Sequence, residues 1–367
     1  MPELKLFEEA NRQLVICNAC RYCEGLCPVF RAIETRRDFV QGDVFYLANL
    51  CHDCRACYYA CMFTPPHEFA INIPEVLSEA RTESYKQWSW PGILGRAFKQ
   101  PGISLVLAAI AGLVVIFLAL VLLGPPPLFS SHTGPGAFYA VVPYWAMVIP
   151  AVVLFFYGIA VWIRGTARSW IETDDKPGQP LSAKALLQAT GAALGLRYLQ
   201  GGGPGCSYPE ERPSASRRIF HSFVFWGFVS DFVSTTLAFI YQDFLHQLPP
   251  YPIASGPVLF GAVGGVLLII GTAGLIWFKW KSDRAPALAR AYSMDYAFLF
   301  LLGLTAATGM LTLIFRDTAA LGSLLVLHLA FIAALFITAP YGKFVHFLYR
   351  TLALVRYYVE REHLPHG

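Results

Sequence analysis

Eight of the nine cysteines fall in two blocks of identical spacing, and this repetition limits the fold more than any other feature. Cys17, Cys20, Cys23 and Cys27 form the first block, closed by Pro28; Cys51, Cys54, Cys57 and Cys61 form the second, followed by Met62. Both read CxxCxxCxxxC. Three thiolates on one tight loop reach three irons of a cubane, while the fourth iron takes a ligand from another direction, so the last cysteine of each run crosses to the other cluster. The spacing predicts two [4Fe-4S] clusters, one on Cys17, Cys20, Cys23 and Cys61, the other on Cys51, Cys54, Cys57 and Cys27. Disulfides would need an oxidising compartment, and zinc seldom takes eight cysteines in two such runs.

The remaining composition is that of a membrane protein. Of 367 residues, 56% are hydrophobic and 14% charged, against about 25% charged in a soluble domain. The net charge of +4 is not gathered into a patch, so no nucleic-acid partner is expected. Residues 1–16 hold Glu3, Glu8 and Glu9 and no long apolar core, so no secretory signal is read and the N-terminus is expected in the cytoplasm.

Along the chain, Leu4, Phe7, Ala10 and Leu14 recur at helical spacing ahead of the first cysteine block. Asp43 is the expected N-cap of a short helix delivering Cys51, and residues 74–87 read as another helix. The fold class is therefore all-α: an α-helical ferredoxin-type domain over residues 1–90, then a six-helix transmembrane bundle over 91–367. Trp88 and Trp90 mark the approach to the bilayer. Uncharged or nearly uncharged stretches at 103–123, 143–163, 219–241, 257–278, 294–315 and 321–341 are long enough to span. Lysines and arginines number 11, 8, 4 and 4 in the segments that an even helix count puts on one side, and Arg316 is the only one on the other. This bias predicts a bacterial inner-membrane protein with both termini cytoplasmic. The cytoplasmic loop 164–218 is long; its residues 182–199 are expected to form a helix lying on the membrane surface. Gly201, Gly202, Gly203 and Gly205 read as a flexible turn, since no phosphate-loop pattern follows a strand. Cys206 is left as a structural or free thiol.

Ionisable side chains inside a bilayer are costly and functional by default. His221 opens the third span; His328 and His346 are placed on the sixth, 18 residues apart and so about 27 Å along one face of a continuous helix. Orientation puts His221 and His346 at the same cytoplasmic level, predicting that they ligate a b-type haem between helices three and six, with Arg217 and Arg218 meeting its propionates. A second haem would need a partner for His328 that the sequence does not supply. His328 and Asp231, at mid-span, are the candidates for proton transfer or quinone binding. His52 and His67 read as surface or supporting residues near the cysteines.

Two CxxCxxCxxxC blocks, the PPHEFAINIP stretch at 65–74, six spans and GGGPGCSYPEERPSASRRIFH at 201–221 together resemble the tricarballylate or citrate utilisation protein B family, over essentially the whole chain. The membrane half is similar to the cytochrome b subunit of respiratory nitrate reductase, which uses two histidines on each of two helices; Asp231 stands where the fourth would fall. The resemblance implies an electron-transfer chain that reoxidises a partner FAD-dependent dehydrogenase of the tricarballylate type and delivers electrons through the clusters and haem b to the quinone pool. Substrate oxidation belongs to the partner, since no dinucleotide fingerprint is present. Three other readings stand beside it: the same route reversed from quinol to a cytoplasmic reductase, a redox-regulated tricarboxylate transporter, and an anchor whose clusters only shape a dock. The partner is expected on the charged cytoplasmic domain over Arg31, Arg36 and Arg37.

Overall fold

The computed structural model describes residues 3–97, 128–174, 179–201, Gly203 and 205–363, with scattered positions between 104 and 114. The fold is all-α. Among the described residues, strand pairing is confined to Cys206–Ser207 against Pro213–Ser214, a short ribbon that follows the glycine-rich turn, where Gly201, Gly203 and Gly205 all take positive φ.

The N-terminal region runs α1 (Glu3–Cys20), α2 (Pro28–Ile33), α3 (Gln41–Leu50), α4 (Ala56–Ala60), α5 (Ile73–Trp88) and α6 (Gly92–Ala97). Leu6, Ala10 and Leu14, four residues apart on α1, share a face. They join Val44 and Leu47 of α3 and Leu77 and Ala80 of α5 in one core. Asp43 does not cap α3 as expected: Val40 is the N-cap, and Asp43 sits in the first turn. There its Oδ2 accepts from the Val40 amide at 3.2 Å while Oδ1 accepts from Arg36 Nε at 2.6 Å.

After α7 (Ala137–Val141) come α8 (Tyr144–Glu172), α9 (Ala183–Leu194), α10 (Ser216–Asp243), α11 (Gly256–Lys281), α12 (Ala289–Ile314), α13 (Leu321–Thr338) and α14 (His346–Glu362). Five of these, α8 and α10 to α13, are long and apolar enough to cross a membrane, so the chain has the make-up of a multi-pass membrane protein. The first expected span, 103–123, lies largely outside the described residues. Consecutive helices α10 to α13 pack side by side, and α13 closes onto α8. Small residues allow close approach: a Cβ at Gly227 of α10 would stand 3.0 Å from the Gly264 carbonyl and the Leu268 amide of α11.

The expected continuous sixth helix is broken. Helix α13 stops at Thr338, and a short 3-10 turn over Lys343–Val345 intervenes before α14 begins at His346. Pro340 cannot continue the helix, so the common face expected for His328 and His346 does not exist. Helix α14 is no tail. Ala353, Leu354 and Tyr357 complete the core of the cysteine domain, together with Ala185 and Ala189 of α9. The segment expected to lie on the membrane thus presents its alanine face to α14.

Candidate functional site

Helix ends and irregular backbone deliver the thiols. Helix α1 terminates at Cys20, Pro28 opens α2 immediately after Cys27, and Cys51 is the C-cap of α3. The second loop turns through Asp53 and Arg55, both in the left-handed region at φ 52° and 64°, which re-aims the chain between Cys54 and Cys57. Neighbouring thiols oppose ionisation within the cysteine region. Cys23, Cys61 and Cys20 act on Cys17, and Cys61 and Cys20 on Cys23; Cys54 and Cys51 act on Cys27, while Cys57 feels Cys54, Cys27 and Cys51 and, across the two expected sets, Cys23. Burial first and neighbouring thiols second push Cys17 up to about 12 and Cys23 up to about 11, and burial drives Cys27 and Cys57 upward too.

Such a set takes its ionised form only around a cation, and soft thiolates suit iron. Among the described residues no three His, Cys, Asp or Glu side chains converge on a single-ion site; a cubane has no need of one, because it spreads four thiolates over four irons. The donor chemistry and grouping therefore fit iron-sulfur clusters. Cys20 is exposed and Cys54 buried, so the first group faces outward and the second inward.

Cys206, which sequence reasoning left without a role, lies against the inner group. It is fully buried and packs with Cys54, Leu199 and Tyr208. Its Sγ also donates to the Leu199 carbonyl at 3.2 Å. No spacing signal links position 206 to position 54.

His221 and His346 do meet. Their ring centroids are 6.1 Å apart with planes at 83°. Two imidazoles facing one metal at about 2 Å through each nitrogen stand about 6 Å apart, centroid to centroid. His346 Nδ1 donates to the Lys343 carbonyl at 2.6 Å, which leaves Nε2 as its free lone pair, the usual arrangement of a metal-binding histidine. His221 Nδ1 is buried with no hydrogen-bond partner. Both observations fit axial ligation of a haem iron.

The two arginines expected beside this pair diverge. Arg217 donates Nη1 to the Asp53 carbonyl, whereas Arg218 points away to the Gly195 carbonyl at 2.9 Å. Arg350, missed in the sequence, is instead the second base near the histidines: it lies one turn after His346 as Arg217 lies one turn before His221, and its Nη2 donates to the Cys51 carbonyl at 2.9 Å. The i,i+4 relation of each arginine to its histidine was the available signal, hidden by reading helix six as continuous.

His328 and Asp231 are not brought together by the contacts they make. His328 Nδ1 lies 3.1 Å from the Thr305 carbonyl and 3.2 Å from Thr308 Oγ1, with its ring against Gly309 of α12. Asp231 packs onto Gly264 of α11, where any Cβ would collide with its carboxylate. His52 sits below the inner thiols, its Nδ1 donating to the Leu50 carbonyl at 2.8 Å; His67 packs on Phe63 and Phe69. Arg36, expected on a docking surface, is 5% exposed and is held by Asp43 and Glu360 at 2.6 Å each, so it faces no partner.

Comparison with known proteins fits this arrangement. The profile of the family described as Citrate utilization protein B matches residues 96–365, and that of its Fer4-like domain matches residues 10–87. The chain belongs to the citrate utilization protein B family. A relative named Citrate utilization protein B, from Escherichia coli, is 40% identical over 358 residues, covering 96% of this chain and 92% of its own length. No solved structure matches. For this citrate utilization protein B family member, the Fer4-like match spans the first cysteine block, the second block and α5, and the membrane match takes in the helices that carry His221, His328 and His346.

Proposed function

We propose that this chain passes electrons from a reduced flavoprotein, docked beside the cysteine domain, to the membrane quinone pool through two [4Fe-4S] clusters and a b-type haem. When bound, these groups supply one-electron chemistry that side chains lack. Cys17, Cys20, Cys23 and Cys61 would hold the outer cluster, Cys27, Cys51, Cys54 and Cys57 the inner one, and His221 and His346 the haem. The observation that carries the reading is the link between the two halves: one loop, Cys51–Cys54, presents inner thiols and is bonded through its carbonyls to arginines one turn from each histidine.

The name of the relative ties the route to citrate utilisation; in this reading the partner is an FAD-dependent dehydrogenase of the tricarballylate type. The donor docks at the exposed Cys20 edge, where Tyr22 and Met62 are 67% and 69% exposed, in place of the Arg31, Arg36 and Arg37 surface. His328 and Asp231 remain the candidates for proton or quinone contact. The distribution of basic residues supports an inner-membrane location with both termini cytoplasmic.

The test is the cofactor content of the detergent-solubilised chain, with pyridine haemochrome measured beside non-haem iron. About one protohaem and about eight non-haem irons per chain are expected. Iron without haem would remove the histidine pair from the route; haem without iron would remove the cysteines.

A further inference from the structure

Three guanidiniums surround the loop of the inner thiols, and among the described residues none of them makes a salt bridge. Arg81 of α5 is buried; it donates Nε to the Ala48 carbonyl and Nη2 to the Cys51 carbonyl, each at 2.7 Å. Arg350 of α14 donates to the same Cys51 carbonyl and to that of Asn49. Arg217 of α10 donates to the Asp53 carbonyl and lies over the Tyr208 ring at 5.0 Å. All these acceptors are neutral. The loop's own carboxylate, Asp53, leans to Arg55 at 3.9 Å.

Other deep bases in this molecule are paired: Arg36 with Asp43 and Glu360, Lys279 with Asp295, Arg356 with Asp174. The three around Cys51 therefore break the chain's own pattern. Arg217 and Arg350 keep some accessible surface, yet both are bonded to the same loop as the buried Arg81. Gathering like charges at such a place is costly unless an anion lies close. Four thiolates around an iron-sulfur core are such an anion, and it gains one more negative charge on reduction.

Burial alone would disfavour that extra charge and lower the potential of the inner cluster below that of the exposed one. The arginines act in the opposite sense. Among the described residues no comparable set is bonded to the loop of the outer thiols: Arg21 is exposed and turned to the Asn18 carbonyl.

We infer that Arg81, Arg217 and Arg350 make the cluster on Cys27, Cys51, Cys54 and Cys57 the higher-potential of the two, so that an electron entering at the Cys20 edge comes to rest beside His221 and His346. The inference rests on the two-cluster reading above. The step is a one-electron exchange: the outer cluster, reduced by the flavoprotein donor, is oxidised as the inner one is reduced. The arginines are positioning residues in this scheme and set an equilibrium rather than carry the electron.

The test is a redox titration of the full-length, detergent-solubilised protein followed by electron paramagnetic resonance, with haem absorbance recorded in parallel. Cys20→Ser marks the outer signal. Two cluster signals of different midpoint are expected. In Arg350→Gln the higher should lose at least tenfold in its reduced-to-oxidised ratio at fixed potential, about 59 mV for one electron, and the outer signal should stay in place. Arg350→Lys, which keeps the charge, should recover most of the shift. If Arg350→Gln does not assemble, Arg217→Gln is read in the same way. Unmoved cluster signals, a shift of the outer signal, or a shift of the haem alone would overturn the inference, the last reassigning the arginines to haem carboxylates. Absence of two cluster signals from the unaltered protein would instead overturn the proposed function.

Discussion

The bond from His346 Nδ1 to the Lys343 carbonyl, 2.6 Å long, fixes both the tautomer and the direction of that ring, and so decides what the imidazole can bind. His328 is anchored in much the same way, on Thr305 and Thr308, but faces Gly309 rather than another histidine. The two residues should therefore separate on substitution. His346→Ala is expected to lose haem while keeping about eight irons, whereas His328→Ala keeps both; equal haem loss from the two would show that the pairing with His221 is not what matters. A second residue-scale prediction concerns Arg36. Its two carboxylate partners, with side chains 5% exposed, become uncompensated in Arg36→Met, at a cost of about 3–5 kcal/mol. The thermal midpoint of the cysteine domain, followed by loss of cluster absorbance, should fall accordingly, and Glu360→Gln should fall less because no charge is stranded. The two cysteine runs were legible in the sequence because their spacing is set over a few residues. Arg36 was not, since its partner Glu360 is 324 positions away.

At the scale of elements, the instructive error is helix six. Its apolar run was read to 341 and extended to His346, although Pro340 and Gly342 stood in the sequence as stop signals. The consequence is large, because the break frees α14 to turn back and wall the cysteine domain. Residues 346–362 carry enough charge to look like a solvated tail; their partners, Leu6, Leu47 and Leu77 among others, lie at the opposite end of the chain, and no local pattern discloses them. Leu354 is 1% exposed in that core. Leu354→Ala should cost about 2–5 kcal/mol and release iron at lower temperature than the parent protein, with every cysteine still present; unchanged iron retention would remove α14 from the domain. Between α10 and α11 two of the three atoms nearest a Cβ at Gly227 are backbone, the third belonging to the Leu268 side chain, so moving that side chain alone does not make room for Gly227→Leu. Its expected result is a lower yield of folded bundle in detergent, judged by a monodisperse elution profile.

For the molecule as a whole, the two chain ends belong to one domain. Arg36 and Tyr46, near the start, both bond Glu360, near the end; Trp88 Nε1 donates to Glu172 at the foot of α8; and Arg356 donates to the Thr173 carbonyl. Both ends of the chain and the C-terminal end of α8 therefore lie on one side of the membrane. A chain that starts and finishes on the same side crosses an even number of times, and five of the described helices are long and apolar enough to cross. Parity calls for one more crossing, and Tyr144, which begins α8 on the far side, requires it before that residue. The uncharged stretch 103–123, largely outside the described residues, is the span expected there from the sequence. This is tested with reporters. Alkaline phosphatase fused after Ser131 or after His246 should be active, and green fluorescent protein fused after His363 should fluoresce. Ser131 and His246 are separated by α8 and α10 and so report the same side. Green fluorescent protein fused at the N-terminus should also fluoresce, and a dark N-terminal fusion beside a bright C-terminal one would mean that the crossing at 103–123 does not occur, whereas two dark termini with phosphatase active after His363 would invert the molecule and set the positive residues on the wrong side.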